Sequence, residues 1–332
     1  LPSCFHWDRE GPHRRPISNY SRSLERTLFH TLRNLMTYSL DEMVRRPDRS
    51  DRIALAGNRV FAWSEWGPVT GTPVLFLTGA GMAGTLGFGL EHLEKLNLRL
   101  IAPDRPGLGA SSPDPDKSLA SVARDVGELV ANLGLVSIPV VAFSQGAPFA
   151  FAAAASGTAS SLAIVSGQDE LYRPEFADGL PDQVRDMTRH AQEDPAGFSA
   201  MLEGFAEPDG FYDLVLSMSS PEDRSVYGVE PFAAAYRHAL REGFRQGPKG
   251  YVLDTLAALR PWSIDLGMIN CPVSLWYGGK DGSPVHSPDF GLSLAGRLPN
   301  ASRRFIPEEG GALLWTRSLD ILSELATTSG ND

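Results

Sequence analysis

Val140-Val141-Ala142-Phe143-Ser144-Gln145-Gly146-Ala147 is an apolar run that delivers one serine into a turn of small residues and then enters an alanine-rich segment. Apolar residues without a helical period before the serine, and alanines after it, predict a buried strand turning sharply into a helix. A hydroxyl held at such a turn projects above the sheet. The amide of Gln145, at the helix start, then points at any oxyanion formed beside it. Ala142 and Gly146, two residues to either side of Ser144, are small enough to let the turn close.

Working outward, the chain alternates strands and helices. Ile53–Ala56 and Val60–Trp66 read as a leading antiparallel pair. Strand Val74–Thr78, a helix, strand Leu98–Pro103 and a helix over Leu119–Leu133 follow. Next come strand Pro139–Phe143, a helix through Ala155 and strand Leu162–Ser166. Short apolar strands spaced by helices imply an α/β fold with a mainly parallel central sheet flanked by helices. The alternation stops after Gly167 and resumes at Pro272–Trp276. Between them the chain reads as helical, aromatic and punctuated by proline. The strands on either side need each other to complete one sheet, which favours an inserted helical cap over a separate domain. A helix near His286–Leu298, strand Ser302–Pro307 and a final helix close the chain. The predicted division is an N-terminal extension over 1–50, a core over 51–168 and 270–332, and a cap over 169–269. In the extension, Leu24, Leu28, Leu32, Leu35 and Met36 share one helical face, which suits a helix docked on the main body or an arm for dimerisation or lipid contact.

Composition narrows the function classes. The chain has 332 residues, 42% hydrophobic and 21% charged, with a net charge of −10 and no basic stripe, so nucleic acid is not an expected partner. No window approaches the roughly 18 unbroken apolar residues of a membrane span. Cys4 and Cys271 make neither a disulfide framework nor a metal-ligand spacing, and no secretory pattern opens the chain, so a cytoplasmic location is expected.

Four further stretches carry chemistry. Leu75-Phe76-Leu77-Thr78-Gly79-Ala80-Gly81 and Asp104-Arg105-Pro106-Gly107-Leu108-Gly109-Ala110-Ser111 each follow a strand. Tyr277-Gly278-Gly279-Lys280-Asp281 ends another, and Glu308-Glu309-Gly310-Gly311-Ala312-Leu313-Leu314 follows the last. Together with the Ser144 turn, and in this order, they resemble the α/β-hydrolase family from about Ile53 onward. The resemblance implies Ser144 as nucleophile, the Ala80 and Gln145 amides as oxyanion hole, and Asp281 as orienting acid, with Asp169 as the runner-up. Gly79 and Phe143 become candidate substrate contacts. It also implies that Ala312 stands where the catalytic histidine should be. The seven histidines all precede the last strand, and His286, placed on the helix after the acid turn, reads as a surface or packing residue.

The expectation is therefore a serine hydrolase that cleaves a carboxylic ester or lactone of a small hydrophobic molecule through an acyl-enzyme, disabled by replacement of its base and needing no cofactor or metal. Its alternatives are a non-hydrolytic binding relative, and acyltransferase, C–C hydrolase or lyase chemistry on the same scaffold. A homodimer is left open. Gly79-Ala80-Gly81-Met82-Ala83-Gly84 also matches the dinucleotide fingerprint, with Asp104 at the spacing of its ribose-binding acid. That reading leaves Ser144, Asp281 and Gly310-Gly311 unexplained.

Overall fold

A computed structural model describes residues 43–328; the amphipathic segment from Ser21 lies, up to residue 42, outside the described residues. Its sheet has eight strands: β1 (Arg49–Ala54), β2 (Val60–Trp66), β3 (Thr72–Leu77), β4 (Leu98–Pro103), β5 (Ile138–Phe143), β6 (Ala159–Val165), β7 (Val273–Gly278) and β8 (Ala301–Ile306). They lie in the order β1-β2-β4-β3-β5-β6-β7-β8. β2 pairs antiparallel with both β1 and β4, and every later pairing is parallel. The expected mainly parallel sheet is thus present, and the parallel strands end at one edge, where ligands of such sheets bind.

β5, at the middle of the sheet, is buried at every position, as its unbroken apolar run requires. The helix after the serine, α3 (Gly146–Ala155), is apolar all round and has nine buried residues, so it is a core element and not a surface one. Before it come the single turn α1 (Leu93–Leu96) and α2 (Leu119–Asn132), the latter opened by a reciprocal Ser118–Ser121 capping box.

Two predicted helices are present only as short remnants. No long helix follows β3: residues 78–92 form turns and bends, leaving only α1, because glycines at 79, 81, 84, 87 and 89 interrupt the segment. This also removes the dinucleotide reading, which needs a helix opening at those glycines. The Asp104 carboxylate is turned inward, with Oδ1 accepting from the Gly84 N–H at 2.7 Å and Oδ2 from the Ala110 N–H at 2.8 Å. Burial pushes its pKa up and those two N–H bonds oppose the shift. The second shortened helix is the one expected from His286; the observed α10 spans only Leu292–Arg297.

Between β6 and β7 the chain is helical, with α4 (Asp182–Glu193), α5 (Pro195–Glu203), α6 (Pro208–Met218), α7 (Pro221–Tyr227), α8 (Phe232–Gly243) and α9 (Lys249–Leu259). Three of the prolines that punctuate the sequence are first residues of helices, where the missing N–H costs nothing. The side chains of Asp194, Glu207 and Ser220 cap α5, α6 and α7. Phe198 and Phe232 are fully buried, whereas Phe205 is 63% exposed, so the aromatic residues of this region do not act as one set. After β8 come α11 (Leu313–Thr316) and α12 (Ser318–Thr328).

Candidate active site

Ser144 sits between β5 and α3 with φ of 51°, a left-handed conformation that costs a non-glycine residue roughly 1–2 kcal/mol. Its backbone holds it there: the N–H donates to Val165 O at 3.2 Å, and its carbonyl accepts from the Ala147 and Gln168 N–H groups at 3.1 and 3.0 Å. Only glycine fits at 146, since a Cβ there would lie 2.3 Å from Leu77 O. Ala142, inside β5, is fully buried, so its methyl group is accommodated by the sheet.

The structure puts a histidine on this serine, and it is His286. Its Nε2 is 2.9 Å from Ser144 Oγ and its Nδ1 is 2.7 Å from Asp281 Oδ2. The Asp281 side chain is 4% exposed and that of His286 10%. Asp281 Oδ1 accepts from the Ser283 N–H at 3.0 Å, which fixes the carboxylate before it meets the imidazole. This corrects the expectation that no histidine reaches Ser144.

The physical reason lies in the loop after β7. Pro284 and Pro288 bracket His286 and disfavour a helix there, so the residues between Asp281 and α10 form turns that fold back over the strand ends. Ser287 anchors the fold: its N–H donates to Gly167 O at 3.0 Å, and its Oγ accepts from the Gly291 N–H at 2.9 Å. Phe143 packs edge-on against the imidazole, with ring centroids 6.3 Å apart. Asp169, the runner-up acid, is instead ion-paired with Arg297 and lies 3.3 Å from Ser287 Oγ. Burial pushes the Asp169 pKa up, while Arg297 works against that.

Position 312 does different work from the one expected. Ala312 is 3% exposed, and its N–H donates to Asp223 Oδ1 at 2.8 Å. Asp223, on α7 of the helical insertion, is held in turn by Ser220 Oγ donating to its Oδ2 at 2.8 Å. The two glycines before Ala312 let two carboxylates come close. A Cβ on Gly310 would fall 2.2 Å from Asp223 Oδ1, and one on Gly311 would fall 2.8 Å from Asp281 Oδ1. The loop after β8 therefore backs the acid and takes a tether from the insertion.

A cavity of about 390 Å³ opens over Ser144. Ala80, Phe143, Gln145, Asp281 and His286 line it from the sheet side, while Val184, Met187, Phe211, Tyr227, Tyr236 and Tyr251 come from the insertion. Gly79 is not in the lining; its carbonyl is turned onto Arg105 Nη2 at 2.9 Å. Among the described residues no lysine or arginine lines the cavity, and its carboxylates are Asp223 and Asp281. Burial raises the Tyr227 phenol well above its ordinary value, and both carboxylates reinforce the shift, so it stays a neutral hydrogen-bond donor. The backbone N–H groups of Ala80 and Gln145 have no acceptor among the described residues.

Comparison with known proteins bears on the family and the fold. The profile described as the alpha/beta hydrolase fold matches residues 72–314. An uncharacterized hydrolase, YcgS, of Bacillus subtilis is 36% identical over 78 residues, 24% of this chain and 28% of that protein, so the alignment spans well under a third of the relative. Among solved structures, a hydrolase from Pseudomonas aeruginosa superposes with a TM-score of 0.62 at 16% identity, covering 85% of this chain and 99% of that one. An enol-lactonase from Burkholderia xenovorans gives 0.59 at 15% identity, covering 84% and 99%. An esterase from Exiguobacterium antarcticum gives 0.59 at 16%, covering 83% and 97%. At these identities the likeness concerns the fold.

Proposed function

The chain belongs to the α/β-hydrolase fold family, and from that premise we propose that it is a serine hydrolase cleaving a neutral, hydrophobic carboxylic ester or lactone through an acyl-enzyme on Ser144. The observation that carries this reading is the unbroken line Ser144 Oγ, His286, Asp281, at 2.9 and 2.7 Å.

Asp281 accepts the Nδ1–H of His286, which leaves Nε2 as the acceptor for the serine proton. Ser144 Oγ attacks the substrate carbonyl as His286 takes its proton, and the Ala80 and Gln145 N–H groups receive the oxyanion. His286 then protonates the leaving alkoxide, or the ring oxygen of a lactone. Water, deprotonated by the same imidazole, attacks the acyl-enzyme, and collapse of the second tetrahedral intermediate returns the proton to Ser144. Asp281 stays ionised and balances the imidazolium. Serine as nucleophile argues against branches in which a carboxylate attacks. The esterase and enol-lactonase among the structural neighbours support this choice of bond class. A chain disabled at position 312 has no observation behind it, because the imidazole comes from another loop.

The test is hydrolysis of a panel of p-nitrophenyl esters and aliphatic lactones by the chain as it stands, with fluorophosphonate labelling of Ser144. Turnover and labelling are expected, both lost in Ser144→Ala. Absence of both from the unaltered chain would overturn the reading in favour of a binding protein.

A further inference from the structure

Arg105 has no solvent exposure, lies outside the substrate cavity and is used by no step of the mechanism above. Its guanidinium donates from Nη1 to Thr78 O at 2.6 Å, from Nη2 to Gly79 O at 2.9 Å, and from Nε to Asp254 Oδ2 at 2.9 Å. It also sits 5.0 Å from the centre of the Phe149 ring on α3, the helix that Ser144 leads into. Its hydrogen bonds therefore go to the loop after β3 and to α9 of the insertion, while its face lies against the nucleophile's own helix.

The two carbonyl contacts fix a direction. Gly79 C=O and Ala80 N–H belong to one planar trans peptide, in which the N–H points opposite to the carbonyl. A guanidinium gripping Gly79 O from behind thus aims the Ala80 N–H away from itself, and Ala80 lines the cavity together with Ser144. The second grip, on Thr78 O, stops the loop from rotating about the first. Asp254 is the other half of the device. It is fully buried on α9, whose Tyr251, Thr255 and Leu259 line the cavity, and Thr255 Oγ1 accepts from the side chain of Gln145 at 3.1 Å. The residues of both oxyanion donors are thereby referred to one helix.

We propose that Arg105 is the positioning residue of the oxyanion hole, clamping the Thr78 and Gly79 carbonyls so that the Ala80 N–H faces the serine, with Asp254 tying that clamp to the pocket-lining helix α9. The proposal rests on the serine-hydrolase reading. A buried charge used only for stability would affect substrate and transition state alike. A clamp on an oxyanion donor acts where negative charge develops and is selective for the tetrahedral species.

The experiment compares the unaltered enzyme with Arg105→Lys, Arg105→Gln and Asp254→Asn, using p-nitrophenyl butyrate as substrate, phenylboronic acid as the tetrahedral mimic and butyramide as the neutral ground-state ligand. Lysine keeps the charge but lacks the planar fork that meets Thr78 O, Gly79 O and Asp254 at fixed angles. Glutamine leaves Asp254 to Lys117, its other ion-pair partner. In either Arg105 variant kcat is expected to fall about 10- to 100-fold with KM within threefold. Phenylboronic acid should weaken by the same factor as kcat, and butyramide should change less than threefold. Asp254→Asn should raise KM more than it lowers kcat. The proposal is overturned by kcat and boronate affinity both within twofold of the unaltered enzyme, by equal losses in boronate and butyramide binding, or by failure of both Arg105 variants to fold. Loss of the serine-hydrolase reading itself is distinguishable, since the unaltered chain would then show no turnover or Ser144→Ala would retain it.

Discussion

Asp281 and His286 lie five residues apart on one loop, so acid and base are held by a single closure in place of two strand ends. The short tether lowers the entropy needed to bring them together, and Ser287 and the two prolines hold the imidazole toward Ser144. His286→Ala should lower kcat by about 10⁴-fold or more with little change in KM, measured on p-nitrophenyl butyrate. Retention of more than a tenth of the activity would remove His286 from the mechanism. Ala312→His, made in the unaltered chain, should bring no gain. It adds a ring to a buried site whose backbone is already bonded to Asp223, at a cost of about 1–3 kcal/mol in chemical unfolding. A rise in kcat there would restore the expectation that position 312 is a vacated base. The sequence made Ser144 and Asp281 legible because each stands in a local motif at a strand end. His286 was not, because its role depends on a loop closing back over the sheet. One local signal did exist: Ser283-Pro284 and Ser287-Pro288 flank the residue, and two prolines four apart argue against the helix assumed there.

The parallel strands are legible because continuous burial on both faces writes itself as apolar runs, unbroken in β5 and interrupted only by Ser274 in β7. The stretch after β3 was misread because apolar residues between its glycines imitate a helix, whereas each glycine ends it. The connection of α9 to the sheet could not be read, since Arg105, Lys117 and Asp254 are far apart in sequence. Burial, with Arg105 adding repulsion, brings the Lys117 ammonium down to about 8 although Asp254 pulls it up. Unfolded, the same lysine keeps its proton to roughly 10.4. Between these two values the unfolded chain holds more protons, so this group makes stability rise with pH across that window, by on the order of 3 kcal/mol. Below about 8 it contributes no slope. Urea unfolding at pH 7.0 and 10.0, of the unaltered chain and of Lys117→Met, isolates it from the other groups titrating there. The difference between the two proteins should move in favour of the unaltered chain at pH 10.0. No movement, or the opposite sign, would mean that the lysine stays charged when folded.

At the scale of the described molecule, the strand ends carry the residues of the proposed chemistry and the insertion supplies most of the cavity wall. That wall is apolar and aromatic, and the carboxylates of Asp223 and Asp281 reach the cavity with no lysine or arginine to balance them among the described residues. An acyl chain entering it is desolvated against Phe211, Met187 and Val184, at about 0.8 kcal/mol per methylene, which is roughly fourfold in kcat/KM for each. The cavity volume of about 390 Å³ sets a limit, so the gain should run from the acetyl to the hexanoyl ester and then level off. A substrate carrying its own carboxylate meets the opposite situation. It loses hydration and gains no cation, while facing two like charges, and an unpaired buried anion is costly. The p-nitrophenyl monoester of adipic acid should therefore turn over at least tenfold more slowly, in kcat/KM, than the p-nitrophenyl ester of its monomethyl ester. Raising ionic strength should narrow that gap only slightly, because charges inside a cavity are screened far less than surface ones. Equal rates for the two would mean that the acyl group lies outside this cavity, and a preference for the acid would require a cation that the described residues do not place there.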